Sequence, residues 1–308
     1  MTSWLVRRIV KPEYFCRPRQ LLRRAFRRRS ARAPETSVVA MPWGFPLEVA
    51  PAETIGGGIW RLGVHELVVS EVLWRLIDPG ESVADVGANS GYFTGLMAAR
   101  AGARGMVSAF EPHTTMRGRL ERNVGQWRKR GDAARISVHP VALSDAEGVV
   151  DLWLPPGFEV NTGTASIGER PEAESGGESI RVDARRMDAV ISAGAAPAVM
   201  KIDVEGHEAR VLAGAGELIS PGGIRDIVFE EHRTYPADSM KLLERRGYAL
   251  FRLARGVLRP RLLRPDAPGE PLSWEAPNYL ATLDAGRARE RLSAVGWMCL
   301  AARKRAPV

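Results

Sequence analysis

Residues 82–93 read Ser-Val-Ala-Asp-Val-Gly-Ala-Asn-Ser-Gly-Tyr-Phe, and this short run is the most informative part of the chain. An apolar run that ends in Asp85 predicts a strand over about 82–87. Gly87 and Gly91 then predict a tight turn, after which a helix is expected to begin. Such a corner lets a ligand lie against bare backbone, with the amide groups of the helix start facing it.

A second acid follows the corner at the end of the next predicted strand. Glu111 lies twenty residues after Gly91, and a carboxylate there can accept hydrogen bonds from both hydroxyls of a ribose. A dinucleotide fingerprint would need small residues where this chain has Asn89 and Tyr92, so a pyrophosphate would meet side chains instead of backbone. The spacing Asp-x-Gly-x-x-x-Gly instead resembles the S-adenosylmethionine (SAM) corner of class I methyltransferases.

Strands and helices alternate from residue 82 to residue 253, which predicts an α/β fold with a doubly wound, mostly parallel sheet. The predicted strands are 82–87, 105–111, 136–142, 148–154, 179–182, 199–204, 224–230, 248–253, 278–282 and 295–301. The predicted helices are 65–77, 91–101, 113–130, 187–191, 208–219 and 237–246. Two stretches are expected to be irregular, namely the Pro- and Gly-rich lead-in at 42–58 and a loop at 155–179.

The composition is that of a globular protein, since 45% of the 308 residues are apolar and 26% are charged. This length predicts one large domain with an appendage. The two cysteines, Cys16 and Cys299, lie far apart without metal-ligand spacing, which favours a reducing compartment such as the cytoplasm. No apolar run reaches the length of a membrane span.

The net charge of +8 is concentrated at the N-terminus. Residues 1–34 contain eleven Lys or Arg and one acid, Glu13, which gives +10 and leaves −2 for the rest. A nucleic-acid enzyme would more often carry basic charge around its site, so no nucleic-acid partner is expected. The arginines surround a narrow apolar stripe at 21–26. This pattern is compatible with an acidic membrane surface, a partner protein, an organelle transit peptide or a helix docked on its own domain.

A second chemical cluster is predicted at the end of another strand. The run Lys201-Ile-Asp-Val-Glu-Gly-His-Glu208 places Asp203 and Glu205 on the same side by strand periodicity. The following strand ends in Phe229-Glu-Glu-His232. In an open α/β sheet the ligand lies beyond the carboxyl ends of the strands, so these groups should share a crevice with the corner. They could orient a hydroxyl, take its proton or hold a divalent cation.

Together these runs resemble the FkbM family of SAM-dependent methyltransferases. The resemblance lies in six stretches, which are 83–93, 109–112, 141–145, 201–208, 211–214 and 227–232. The run Lys-Ile-Asp-Val-Glu-Gly at 201–206 is the most specific of them. The resemblance implies a SAM-dependent O-methyltransferase acting on a hydroxyl of a sugar, glycan or natural product. The charge distribution predicts a basic N-terminal helical extension at 1–45. The strand and helix pattern, together with the resemblance, predicts a methyltransferase domain at 46–308, with its core at 82–255.

The resemblance also implies which residues bind the cofactor. The candidates are Asp85, Gly87, Asn89, Gly91, Tyr92, Glu111 and Asp145. By the resemblance, residues 85, 87, 89 and 91 contact the methionine and ribose parts of SAM, Glu111 binds the ribose and Asp145 lies on the adenine side. The chain departs from the family at Arg186 and Met187, where a Thr-Leu pair is more usual before the aspartate.

The candidate catalytic residues are Asp203, Glu205 and His232. Positioning the two reactants and excluding water do most of the work in methyl transfer, and a carboxylate or histidine helps by taking the hydroxyl proton. Asp203 is the first candidate to orient or bind the acceptor, with or without Mg²⁺. No Asn-Pro-Pro-Tyr-like run ends the strand at 199–204, which disfavours methylation of amino groups.

Three alternatives stay open from the residues alone. The nearest is a divalent-metal-dependent O-methyltransferase. An NAD-linked oxidoreductase belongs to another class, and a non-catalytic SAM-binding or membrane-docked partner protein is the third. The sequence does not identify the acceptor or the oligomeric state.

Overall fold

The computed structural model describes residues 34–168, 176–220, 222–268 and 277–301. The apolar stripe expected at 21–26 lies outside these residues. No helix among the described ranges combines the length and the apolar character needed to cross a membrane.

The described chain begins with a small hairpin of β1 (Ser37–Ala40) and β2 (Pro46–Val49), followed by two helices, α1 (Thr54–Leu62) and α2 (Leu67–Leu76). The hairpin packs on the domain, because the indole N–H of Trp127 donates to the carbonyl of Pro46 at 2.6 Å. The expected boundary after residue 45 therefore falls inside a hairpin that belongs to the domain.

The first half of the domain continues with β3 (Ser82–Val86), α3 (Tyr92–Ala101), β4 (Met106–Phe110), α4 (Thr114–Trp127) and β5 (Arg135–His139). Four strands and a short helix follow, which are β6 (Ala142–Leu143), β7 (Gly148–Leu154), β8 (Ser166–Ile167), β9 (Glu178–Arg185) and α5 (Met187–Val190). These four strands form a sheet of their own, in the order β6-β9-β7-β8.

The second half contains β10 (Val199–Ile202), α6 (Glu208–Gly214), β11 (Asp226–Glu230), α7 (Asp238–Arg245), β12 (Ala249–Arg255), β13 (Pro260–Leu263), β14 (Asn278–Thr282), α8 (Ala285–Ser293) and α9 (Met298–Ala301). The central sheet has eight strands in the order β13-β12-β14-β11-β10-β3-β4-β5. The five strands from β11 to β5 are parallel, and β14 runs antiparallel between β11 and β12. The predicted doubly wound, mostly parallel α/β sheet is confirmed.

Two apolar cores cover the two faces of this sheet. One contains Leu73, Leu96 and Leu120 from α2, α3 and α4. The other contains Leu212 and Met240 from α6 and α7. Burying each such side chain contributes about 1.5–3 kcal/mol. Apolar cores therefore support the sheet on both faces, and the carboxyl ends of its strands can carry a site.

The sequence-based prediction is wrong in several places. The predicted loop at 155–179 contains β8, and neither β13 nor α8 was predicted. The stretch 42–58 is not irregular, because it contains β2 and the start of α1. The stretch 295–301 is not a strand, because its last residues form α9. In α9 the buried carboxylate of Glu71 accepts hydrogen bonds from the backbone N–H groups of Met298 and Cys299, both at 2.8 Å. That carboxylate satisfies amide groups of the last helix that would otherwise lack a partner.

Candidate active site

A cavity of about 1480 Å³ opens at the carboxyl edge of the central sheet. The chain runs from β3 through β4 to β5 in one direction and then returns to β10 on the other side of β3. Ligands of open α/β sheets bind at such a reversal of strand order. Ligand pockets usually enclose about 300–1000 Å³, so this cavity has room for a nucleoside and a second molecule together.

The turn after β3, residues 87–91, is the glycine corner of the site. Gly87 has a φ of +81°, and a Cβ atom there would lie 1.9 Å from the backbone oxygen of Asp203. The N–H of Asp203 also donates to the Val86 carbonyl at 3.0 Å. Only glycine adopts this φ without strain and also leaves room for the Asp203 oxygen. The glycine corner therefore contacts the turn after β10 through backbone atoms.

The far end of the corner faces the core. Gly91 has a φ of +95°, and a Cβ atom there would lie 2.6 Å from the Leu120 side chain. Tyr92 begins α3 and lines the cavity. Its hydroxyl lies 3.0 Å from the hydroxyl of Ser70 and accepts a hydrogen bond from the N–H of His65 at 3.0 Å. Burial raises the pKa of Tyr92 above its ordinary value, so it stays a neutral phenol.

Glu111 reaches the cavity from the end of β4. One of its carboxylate oxygens accepts from the N–H of Asn89 and the other from the N–H of His113, both at 2.8 Å. Each oxygen keeps a second lone pair for a ligand hydroxyl. Burial raises the pKa of Glu111 to about 7, although these two backbone bonds act in the opposite direction.

The segment 157–165, which we call the covering loop, closes one side of the cavity. The side-chain amide of Asn89 donates to the carbonyl of Thr162 at 2.9 Å. The N–H of Thr54 donates to the carbonyl of Val160 at 2.8 Å. The ring of Phe158 meets the ring of His113 edge to face, with centroids 4.9 Å apart. These two touching rings therefore give the cavity an aromatic wall beside Glu111.

Three of the seven candidate cofactor residues are not part of the cavity wall. Gly91 packs on the core, as described. Asp85 is fully buried, and one of its oxygens accepts from the hydroxyl of Thr94 at 2.5 Å. Asp145 lies outside the cavity and pairs with Arg210 at 3.0 Å. Gly87, Asn89, Tyr92 and Glu111 do line it. Ligand contacts of Asp85 and Asp145 stay predictions.

Carboxylates from three parts of the chain meet on the opposite side of the cavity. We call this set the acidic mouth, and its members are Glu66, Asp203, Glu205 and Glu230. His232 lies at its rim, with its Nε2 atom 3.3 Å from a Glu205 oxygen and 3.4 Å from a Glu230 oxygen. The predicted candidates Asp203, Glu205 and His232 are therefore brought together, next to the glycine corner.

Burial and the crowding of like charges raise the pKa values of two carboxyl groups in the acidic mouth. Burial, together with the neighbouring charges of Asp203 and Glu230, raises the pKa of Glu205 to about 8. Burial and the charges of Asp203 and Glu66 raise the pKa of Glu230 to about 8 as well. Carboxyl groups with a pKa near 8 exchange protons readily at neutral pH.

The buried ammonium of Lys201 partly balances the negative charge of these acids. The ammonium of Lys201 donates to an oxygen of Asp203 at 2.8 Å and lies 4.5 Å from the centre of the Phe93 ring. Burial would lower the pKa of Lys201, but the carboxylates of Asp203 and Asp85 raise it above its ordinary value. The lysine therefore stays charged and fixes the orientation of Asp203.

Sequence reasoning missed two residues of this region. Glu66 and His65 precede α2, more than a hundred residues before the other acids, and no motif marks them. Burial, followed by the charge of Lys201, lowers the pKa of His65 to about 4, so its imidazole is neutral. Glu208, by contrast, lies outside the cavity, and its carboxylate accepts from the N–H of Gly206 at 3.1 Å, as a turn-closing group does.

Two overlapping sets of side chains have metal-ligand geometry. In Glu205, Glu230 and His232, and again in Glu66, Asp203 and Glu230, the ligand atoms lie within 4.8 Å of one another. Sets rich in carboxylate oxygen suit Mg²⁺ or Mn²⁺.

The strand order, the glycine corner and the acid that ends the next strand define a Rossmann-like methyltransferase domain of class I. More narrowly, the chain belongs to the FkbM methyltransferase family, because the model of the "Methyltransferase FkbM domain" matches residues 85–250. The predicted family is confirmed.

Two curated relatives resemble the chain at about the same level. The AMB antimetabolite synthetase AmbE of Pseudomonas aeruginosa is 32% identical over 203 residues, which cover 54% of this chain and 9% of that protein. The 31-O-demethyl-FK506 methyltransferase FkbM of Streptomyces tacrolimicus is 31% identical over 178 residues, which cover 50% of this chain and 66% of that protein. The chain thus matches only a small part of the first relative and somewhat under two thirds of the second.

Among solved structures, the methyltransferase FkbM from Methylobacillus flagellatus superposes with a TM-score of 0.41 at 19% identity. The superposition covers 65% of this chain and 43% of that one.

Proposed function

We propose that this chain is a SAM-dependent O-methyltransferase that acts on a hydroxyl of a sugar, glycan or natural product. One observation carries the proposal. A single cavity joins the glycine corner and Glu111, which suit a nucleoside, to the acidic mouth, which suits a hydroxyl. Methyl transfer needs these two ligands side by side with water excluded.

The residues present fit SAM. Glu111 has free lone pairs for a ribose diol. The rings of His113 and Phe158 line the cavity beside Glu111, and a flat base can pack against this aromatic surface. The glycine corner offers backbone to the methionine part. These assignments rest on the lining residues and on the chemistry of their atoms.

When bound, SAM supplies an electrophilic methyl group, which the acceptor oxygen takes as the carbon–sulfur bond breaks. Lys201 holds Asp203 in place, so that its second oxygen can accept a hydrogen bond from the acceptor hydroxyl. The proton passes to a carboxylate of the acidic mouth, and Glu205 and Glu230 have a suitable pKa. The covering loop keeps water out.

Calorimetry with the purified chain tests the cofactor. We expect SAM and S-adenosylhomocysteine to bind and NAD not to bind, because Asn89 and Tyr92 occupy positions where a dinucleotide fold needs small residues. Binding of NAD without SAM would move the chain to the oxidoreductases. Binding of SAM without turnover on any acceptor would favour a non-catalytic role.

A divalent-metal-dependent O-methyltransferase is the second candidate. The two carboxylate-rich sets around Glu230 favour it, since a cation there would lower the repulsion among four acids. Titration with Mg²⁺ or Mn²⁺ tests this directly. A rise in melting temperature that Glu230→Gln abolishes would support the metal, whereas full activity in a chelator would exclude it.

For residues 1–34 we propose a role separate from catalysis, as a peripheral contact of a cytoplasmic enzyme with an acidic membrane. Their charge of +10 supports this. A chain that starts at Pro34 keeps all of β1 and should bind SAM normally. The full chain should bind anionic vesicles more tightly at low salt than at high salt. Equal vesicle binding by both chains would contradict the proposal, and insolubility of the shorter chain would favour a docked helix.

A further inference from the structure

The hairpin of β12 and β13 ends at the same edge of the sheet as the cavity. Strand β12 is antiparallel to β14, and β14 is antiparallel to β11, so β12 runs in the direction of β11. Its last residue, Arg255, therefore lies at the carboxyl edge, and the turn at 256–259 follows directly. Residues 252–257 line the cavity. The hairpin tip, which we define as residues 256–261, thus forms part of its rim.

Exposed apolar side chains gather at this tip. Among the described residues, six large hydrophobic side chains are exposed, and three of them are Val257, Leu258 and Val295. Leu258 is 59% exposed and Val295 is 68% exposed. The N–H of Gly296 donates to the carbonyl of Leu258 at 2.8 Å, which brings Val295 beside the tip. A fixed apolar cluster therefore projects from the rim.

The hairpin that carries this apolar cluster is rich in arginine. The stretch 249–264 contains five arginines and no acid, in a chain whose charge beyond residue 34 is −2. The arginines are Arg252, Arg255, Arg259, Arg261 and Arg264. Arg259 and Arg261 are exposed. An apolar tip that carries two exposed arginines matches an anionic bilayer, because the apolar groups enter the acyl boundary and the cations meet the phosphates.

We propose that the hairpin tip and Val295 insert into the surface of an anionic phospholipid membrane. This contact is distinct from residues 1–34 and independent of the methyl-transfer proposal. Since Val257 both lines the cavity and belongs to the tip, insertion places this part of the cavity rim at the membrane surface.

A local probe tests the insertion in the full-length chain. Leu258→Cys in a Cys16→Ser background is labelled with an environment-sensitive dye, and Cys299 is buried and protected from the label. Vesicles of phosphatidylglycerol and phosphatidylcholine should shift the dye emission to the blue, and high salt should reverse the shift. The matched control is Val149→Cys, which is 60% exposed on β7 in the other sheet and should not respond.

Co-sedimentation measured in parallel separates this contact from residues 1–34, because both labelled chains should sediment equally with the vesicles. Arg259→Gln with Arg261→Gln should reduce the shift at position 258. Arg104→Gln with Arg135→Gln, two exposed residues next to β4 and in β5 at the opposite edge, should not, and melting temperatures confirm that each variant folds.

Three outcomes would overturn the proposal. One is sedimentation without a shift at position 258. Another is an equal shift with neutral vesicles of phosphatidylcholine alone. The last is a blue emission before any vesicle is added, because the tip would then be covered by a protein surface.

Discussion

The two sides of the cavity are built in different ways. The glycine corner comes from one continuous stretch, and its geometry is set by backbone, with φ angles of +81° at Gly87 and +95° at Gly91. The acidic mouth comes from side chains on separate segments that begin near residues 66, 203 and 230. The corner is therefore a local property of the sequence, whereas the mouth exists only after the sheet has formed.

The two sides also differ in electrostatic balance. At the corner, both oxygens of Glu111 already accept backbone hydrogen bonds. At the mouth, four carboxylates lie close together near the ammonium of Lys201, and the pKa values of Glu205 and Glu230 rise to about 8. Perturbed groups of this kind cluster at functional sites and cost stability. The corner thus presents a carboxylate that backbone amides hold in place, whereas Glu205 and Glu230 hold protons at neutral pH.

Replacing Asp203 by Asn gives the sharpest test of this difference. The substitution keeps size but removes the charge that orients the acceptor hydroxyl, so turnover should fall about 100-fold, the scale of a misplaced reactant. SAM affinity should change little, because the residue belongs to the mouth. Single-turnover methylation and the melting temperature are measured together, with the exposed Asp183→Asn as control. A normally melting enzyme with wild-type turnover would remove Asp203 from the mechanism.

Replacing Glu111 by Ala should instead weaken SAM binding more than it slows turnover. Loss of hydrogen bonds from a charged group costs about 1.5–3 kcal/mol, so SAM should bind about 10- to 100-fold more weakly in calorimetry. The control is Glu121→Ala, whose side chain is 59% exposed on α4. Unchanged SAM affinity in the Glu111 variant would place the ribose contact elsewhere.

The contact between the two sides can be tested at Gly87. Gly87→Ala forces a Cβ atom against the Asp203 backbone, whereas Gly102→Ala has a similar positive φ with open space around it. Both variants carry strain of about 1–3 kcal/mol, and the clash should destabilise the first further by denaturant unfolding. Equal stability of the two variants would show that the corner and the mouth are not rigidly joined.

The raised carboxyl pKa values predict a smaller effect on stability. Glu205 binds its proton up to about pH 8 when folded and up to about pH 4.5 when its pKa is ordinary. The folded chain thus holds more protons in this window, and the free energy of unfolding falls as pH rises through it. Glu205→Gln should therefore raise the melting temperature by roughly 2–4 °C at pH 8 and less at pH 5.

The exposed Glu159→Gln is the matched control for that measurement and should not change the melting temperature at either pH. Turnover of the unaltered enzyme should increase as pH rises toward 8, because the accepting carboxylate must first lose its proton. A lower melting temperature for Glu205→Gln at pH 8 would mean that the attraction of a neighbouring cation, such as Lys201, outweighs the repulsion.

The sequence predicted the parts of the fold that depend on local pattern. The strands β3, β4, β10 and β11 and the glycine corner follow from β-branched runs and glycine spacing. Helix α1 was missed because Gly56 and Gly57 suggested a loop. In the structure these glycines let the helix pack against the carbonyls of Ala50 and Pro51, where Cβ atoms would lie 2.2 and 2.7 Å away.

The errors elsewhere come from contacts distant in sequence. Helix α9 depends on Glu71, which lies more than two hundred residues earlier. Glu66 joins the site only because the turn before α2 lies against the ends of β10 and β11. No local pattern encodes either contact, so only the folded chain reveals them.

The position of β14 has a consequence for synthesis on the ribosome. This strand is made late, yet it inserts between β11 and β12, so β12 can pair only with β13 until residue 282 has emerged. The guanidinium of Arg75 donates to the carbonyls of Arg291, Ala294 and Gly296, so these hydrogen bonds also form only after those residues have been made. We therefore expect the nascent domain to complete its sheet only after residues 278–282 have left the ribosome, with unpaired strand edges that are prone to aggregation until then.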